Sequence, residues 1–169
     1  MKRPDPVAKG DEGARDLANR LMATDHAALA WSDPLTETPG ISRIAFGLDL
    51  ERCPITLISS LSLHFAALKA NPACALLLGE RGDRGDPLAH PRLMIRAMAQ
   101  FITPKDPRRP GLRSHWLKGH PKAALYADFA DFAFVLLHPE SGLLNAGFAR
   151  AFSLSQADLA LKPDYRNAE

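Results

Sequence analysis

The 169-residue sequence is poor in several features that would direct a reading of function. It has two cysteines, Cys53 and Cys74, too few for the disulfide framework of a small secreted domain. They read as two free thiols in a reducing compartment. No window approaches the roughly 18 continuous apolar residues of a membrane span, and MKRPDPVAKGDEGARD at the start has no apolar signal-peptide core. Both absences set the expectation of a cytoplasmic protein. Net charge is only +2, with Lys and Arg scattered among acids, so the pI of about 8.7 gives no reason to expect a nucleic-acid partner. The histidines at 26, 64, 90, 115, 120 and 138 form no HxH or HExxH spacing, and GxSxG, P-loop and GxGxxG motifs are missing. The expectation is therefore no dedicated metal site and no hydrolase triad. His90, His120 and His138 each precede proline, which suggests loop or turn positions.

What is present is an ordinary globular composition, 46% hydrophobic and 24% charged. A chain of this length buries about 70% of its unfolded surface, enough for one core without staples. The expected division is a flexible N-terminus over 1–10, a single domain over 11–160 and a polar tail over 161–169. Ala14, Leu17, Ala18, Leu21 and Met22 share one face of a helix that starts after Asp11. Ala27 to Trp31 and a strand from Ile41, joined by SDPLTETPG, suggest a hairpin.

The stretch from Ser42 to Leu78, SRIAFGLDLERCPITLISSLSLHFAALKANPACALLL, organises the rest. It reads as strand, turn, strand (Pro54 to Ser59), a short helix capped by Ser62, a stop at Asn71-Pro72, then a further strand. A strand that delivers hydroxyls and N–H groups to a helix start has the geometry of an anion site. Gly79 to Pro91 is loop, and its Arg84-Gly85-Asp86 triplet reads as chance. Arg92 to Thr103 alternates as a long strand with both faces partly apolar. Two short helices follow, at Leu112 to Leu117 and Pro121 to Tyr126. The runs Phe132 to Leu137 and Leu143 to Phe148 flank HPESG, a hairpin signal. Ala151 to Leu154 reads as an edge strand, and Ser155 as the cap of a last helical turn. The expected class is mainly β (α+β), a split β-barrel of six or seven strands with short flanking helices.

The central stretch, together with GDPLAHPRLMIRAMAQF and HPKAALYADFADFAFVLLHPESGLLNAGFARAF, resembles the flavin-binding split-barrel family of pyridoxamine 5′-phosphate oxidase, and within it the haem-utilisation branch. The resemblance implies FMN as cofactor, a small-molecule substrate, flavin-dependent oxidoreductase chemistry, and a homodimer with the cofactor between subunits. It implies cofactor contacts from Ser42 or Arg43 (the register leaves open which), from Ser59 and Ser60 at the strand end, from His64, and from Arg92. The family's His-Thr-Arg reads His64-Phe65-Ala66 here, its glycine pair reads Ala146-Gly147, and a usual glycine reads Ala97. Losing that arginine removes a charged hydrogen bond of about 1.5–3 kcal/mol. Two alternatives stand beside flavin chemistry. One is haem binding, with His64 the first residue to test as iron ligand. The other is a degenerate split-barrel dimer with weak or no cofactor binding. Haem-degrading members of the branch carry a further C-terminal domain with no counterpart in this sequence, which sets the expectation toward flavin.

Overall fold

The computed structural model describes residues 7–160. The tail expected over 161–169, and the first six residues of the N-terminal segment, lie outside them. Of nine strands among the described residues, seven have five residues or more, in line with the six or seven expected. The elements run β1 (Ala8–Lys9), α1 (Glu12–Met22), β2 (His26–Ser32), β3 (Pro39–Ala45), β4 (Gly47–Leu48), β5 (Pro54–Ser59), α2 (Leu63–Ala70) and β6 (Ala73–Leu78). After these come β7 (Arg92–Phe101), α3 (Arg109–Gly119), a 3-10 turn at Pro121–Leu125, β8 (Phe132–Asn145), β9 (Ala151–Ser155) and α4 (Gln156–Leu159).

The sheet is ordered β1-β9-β8-β7-β6-β2-β3, with β5 pairing β8 and β4 pairing β5. Backbone pairing does not close it. Between β3 and β5 the seam is bridged by Thr56, whose buried hydroxyl donates to the Ala45 carbonyl at 2.6 Å. This is a split barrel, and its lumen is filled by Leu29, Ile44, Phe46, Ile58, Leu76, Leu93, Ile95, Val135 and Leu137. A second core lies outside it, where Trp116, Ala123 and Ala127 cover Ile55, Leu57 and Phe134. Buried on both sides, β5 reads as an unbroken apolar run rather than an alternating one.

Local chemistry explains most boundaries. Asp11 caps α1 by accepting from the Ala14 N–H at 2.7 Å, and Ala14, Ala18 and Met22 bury the helix on the barrel. Ser155 and Asp158 form a capping box on α4. Trp31 lies over Gly40, its partner across the β2–β3 hairpin, where a side chain would collide with the indole.

The hairpin expectation fails. HPESG is not a hairpin: Phe132 to Asn145 is one continuous strand. Ala97 pairs with Pro139 and Arg96 with Ser141, so Glu140 is the extra residue of a bulge. Proline is tolerated at such a break because the ladder is already interrupted. The long strand serves two partners, β5 along its first half and β9 along its second. His138 accordingly sits in mid-strand rather than in a turn. In the N-terminal segment, Ala8–Lys9 pair in parallel with β9, and the Gly10 N–H donates to the Ser153 carbonyl at 2.9 Å.

Candidate functional site

The corner where β5 gives way to α2 is built as the sequence suggests, but its polar groups are already engaged. Ser59 Oγ donates to Asp131 Oδ2 at 2.8 Å and accepts from the Leu61 N–H at 3.2 Å. The Ser60 N–H donates to the Asp131 carbonyl at 2.7 Å, and the Ser60 side chain is exposed. Ser62 occupies the N-cap position without capping, since its hydroxyl donates back to the Ser59 carbonyl at 2.7 Å. The second turn of the corner is apolar. Phe65 meets the Phe101 ring edge-on at 4.9 Å, and Lys69 Nζ lies 4.1 Å from the centre of that same ring.

These contacts decide the fit of a flavin phosphate. Its anion would arrive beside the Asp131 carboxylate, with the Ser59 hydroxyl committed to that carboxylate and a phenyl ring at the position of the family's threonine. The residues present do not form an FMN phosphate clasp.

His64 stands differently. It projects from the first turn of α2, half-buried, with Nδ1 3.1 Å from Ser42 Oγ. Ser42 Oγ also accepts from Trp31 Nε1 at 3.0 Å. The His64 contact admits two tautomers. With the proton on Nδ1 the ring donates to Ser42 Oγ and Nε2 carries the lone pair, and with the proton on Nε2 the Ser42 hydroxyl donates to Nδ1. Nε2 has no hydrogen-bond partner among the described residues. Burial pushes the His64 pKa below the ordinary histidine value, so the ring is neutral at pH 7. A neutral imidazole with one nitrogen anchored and the other free is the donor arrangement of a haem-iron ligand.

The structure also separates residues that were grouped in the sequence. Ser42 shares the inner side of β3 with buried Ile44, whereas Arg43 points to the outer face and is exposed. Arg92 is on that outer face too, in the frame of Met94 and Arg96. Arg43 lies level with Met94 through Ala28 and Leu77, three strands away, or about 14 Å. Arg92 Nη1 is bound to the Leu88 and His90 carbonyls at 3.0 and 3.4 Å. So Ser42 and His64 come together, Ser59 and Ser60 share the corner, and the two arginines belong to neither group. Trp31 and Asp131 were not anticipated. Trp31 could have been suspected from its inward place in the β2 alternation, while Asp131 joins Ser59 from 72 residues away with no local signal.

Fold and site together define a split-barrel protein with a half-buried, neutral histidine held at the start of α2. No family model matches the chain. Among curated proteins it is similar to the non-canonical heme oxygenase HOZ, chloroplastic, of Arabidopsis thaliana. The two are 34% identical over 114 residues, which is 68% of this chain and 34% of that protein, so the chain spans about a third of its relative's length. One solved structure of 37% sequence identity superposes with a TM-score of 0.81, covering 91% of this chain and 99% of its own. The heme binding protein from Mycobacterium smegmatis superposes at 0.77 with 22% identity over 95% of this chain and 62% of that one. Campylobacter jejuni ChuZ gives 0.78 and 19% over 92% and 66%. A putative pyridoxamine 5′-phosphate oxidase from Listeria innocua gives 0.61 and 14% over 79% and 98%. The chain has the split-barrel fold of pyridoxamine 5′-phosphate oxidase-like proteins, and its structural neighbours include a heme binding protein and ChuZ. No helix among the described residues is long and apolar enough to cross a membrane.

Proposed function

We propose that this chain binds haem, with His64 as the iron ligand, and that it works as a homodimer. The observation that carries the reading is the His64 imidazole, neutral, held at Nδ1 by Ser42 and without a hydrogen-bond partner at Nε2 among the described residues. The sequence similarity to a heme oxygenase and the structural similarity to heme-binding proteins support the same choice of ligand. Haem, when bound, would supply redox-active iron; His64 would be the residue that holds it and Ser42 the residue that orients the imidazole.

The dimer is supported by the outer face of β3-β2-β6-β7. Ile41 is 76% exposed and Leu77 46% exposed, with Ala28, Ala30 and Ala75 between them and Met94 and Met98 beyond Leu77 on β7, all only partly covered. This apolar stripe, with Arg43, Arg92 and Arg96 on the same face, supports burial of the face against a copy of itself. The two thiols, both free, suit a reducing interior such as the cytoplasm.

An FMN-dependent oxidoreductase acting on a small molecule is the competing reading, supported by the fold alone. The Asp131 carboxylate at Ser59 and the Phe65–Phe101 contact oppose it. Incubating the protein with excess haemin and, separately, with excess FMN, then desalting and recording visible spectra, separates the two. A retained Soret band with no retained flavin is the expected result. Retained FMN without haem overturns the proposal.

A further inference from the structure

At the far end of β5 from the α2 corner, about 17 Å along the strand, a separate cavity of about 530 Å³ opens between the β4–β5 turn, the start of α3, β8 and α4. Its volume suits a small molecule, and Leu50, Leu112, Leu136 and Leu159 give it apolar walls. Cys53 and His138 also line it.

The three strands bring a specific set of side chains together here. The β5–β8 ladder pairs Ile55 with Leu136, and two residues further on the same register sets Cys53 opposite His138. Cys53 Sγ is 3.7 Å from His138 Nδ1, and its thiol also has the Pro54 carbonyl as an acceptor at 3.6 Å. On the other side, β7 pairs Met98 with His138, which leaves Gln100 diagonal to it. His138 Nε2 lies 2.8 Å from Gln100 Oε1. Donation from Nε2–H to that amide oxygen fixes the tautomer and leaves the Nδ1 lone pair facing the thiol. The bulge at Glu140 begins two residues along β8, as bulges often do beside reactive groups. Nucleophile, base and amide orienter in this order form the cysteine–histidine–amide arrangement that acyl-transfer enzymes reach on unrelated folds.

We propose that Cys53 is a nucleophile, with His138 its general base and Gln100 the positioning residue, acting on esters or thioesters of small apolar carboxylic acids. The thiol proton passes to His138 Nδ1 as sulfur attacks the acyl carbon. The S–C bond forms, the bond from acyl carbon to the alcohol or thiol breaks, and the leaving group takes the proton from His138. Water then attacks the thioester by the same route, releasing the acid and restoring the thiol. No redox change occurs. Burial, with added repulsion from Asp49 and Glu51, pushes the Cys53 thiol up to about 12, so the resting group is protonated and depends on its base.

Cys74 is an internal control. It is also part-buried, with its pKa raised to about 11 by burial and by the Glu140 charge, but its thiol donates to the Ala97 carbonyl and no histidine is among its hydrogen-bond partners in the described residues. The test is reaction of the intact protein with p-nitrophenyl butyrate, following nitrophenol release and locating the acyl group by peptide mass spectrometry. Acylation of Cys53 is expected about 100-fold faster than of Cys74, with the advantage removed by His138→Gln. Gln100→Leu should slow it about tenfold and Gln100→Glu, which keeps an acceptor, should restore it. Equal or absent acylation of the two cysteines in the wild type overturns the proposal, whatever the variants do. A rate unchanged in folded His138→Gln also overturns it. Neither result depends on whether haem binds.

Discussion

Replacing Ser42 by alanine removes one oxygen that two rings use. Trp31 Nε1–H, 3.0 Å from that oxygen, loses its acceptor inside a residue only 9% exposed. A buried donor left unpaired costs about 1–3 kcal/mol. For a domain of this size each kcal/mol lowers the melting temperature by about 2–4 °C, so a central cost of about 2 kcal/mol predicts a fall of roughly 4–8 °C. The second consequence is separate. His64 Nδ1 loses its anchor at 3.1 Å, and loss of such an outer partner typically weakens metal ligation about 10- to 100-fold. Thermal melts and haemin titrations of wild type, Ser42→Ala, Ser42→Thr and the Ser42→Ala/His64→Ala double variant separate these effects. Ser42→Thr keeps the hydroxyl and should retain most of both properties. The melting loss should persist in the double variant, because it belongs to Trp31, whereas the effect of Ser42 on haem affinity should vanish without His64. A fall of less than about 1 °C for Ser42→Ala would show that the oxygen does not hold Trp31.

Three further outcomes are expected. His26 bridges Asp25 and Glu80 at 2.6 and 2.8 Å, and these hydrogen bonds raise its pKa while lowering that of Asp25. The raised histidine stabilises the fold fully below its ordinary value of 6.5 and loses that contribution as pH climbs through the raised value, and the lowered Asp25 loses its own at strongly acid pH. Urea midpoints for wild type and His26→Gln should therefore differ near pH 5.5 and converge by pH 9, and a constant difference would contradict the assignment. Gly79 has φ +106°, and an added Cβ would come 2.6 Å from the Pro91 carbonyl oxygen, so Gly79→Ala should cost about 1–3 kcal/mol in a denaturant melt. Ala66→Arg combined with Asp131→Asn supplies a cation and removes the opposing carboxylate, and should raise FMN affinity about 10- to 150-fold by fluorescence quenching. Unchanged affinity would mean that this corner is not where the phosphate is lost.

The strand–helix–strand unit around Ser42 to Leu78 was legible because its punctuation is local: Asn71-Pro72 ends α2, and apolar runs flank it. The continuous β8 was not, because Pro139 and Gly142 read as turn residues. Their tolerance depends on distant partners: Pro139 sits at the bulge against β7, and a side chain at Gly142 would crowd Leu154 and Leu159. The site divided in the same way. Residue types at the corner were visible, as was the substitution of Phe65 and Ala66 for the clasp. That Asp131 already occupies Ser59, and that one-residue alternation sends Arg43 away from Ser42, are facts of pairing that no short window contains. Cys53 and His138 are 85 residues apart and become neighbours only through the β5–β8 register.

The most direct measurement of the central claim is a haemin titration of wild type and His64→Ala, read at the Soret band with and without added imidazole. Expected are saturable binding by wild type, a loss of at least about tenfold in His64→Ala, and partial recovery of the wild-type spectrum when imidazole is supplied to the variant. Identical Soret spectra and affinities for the two proteins would contradict it.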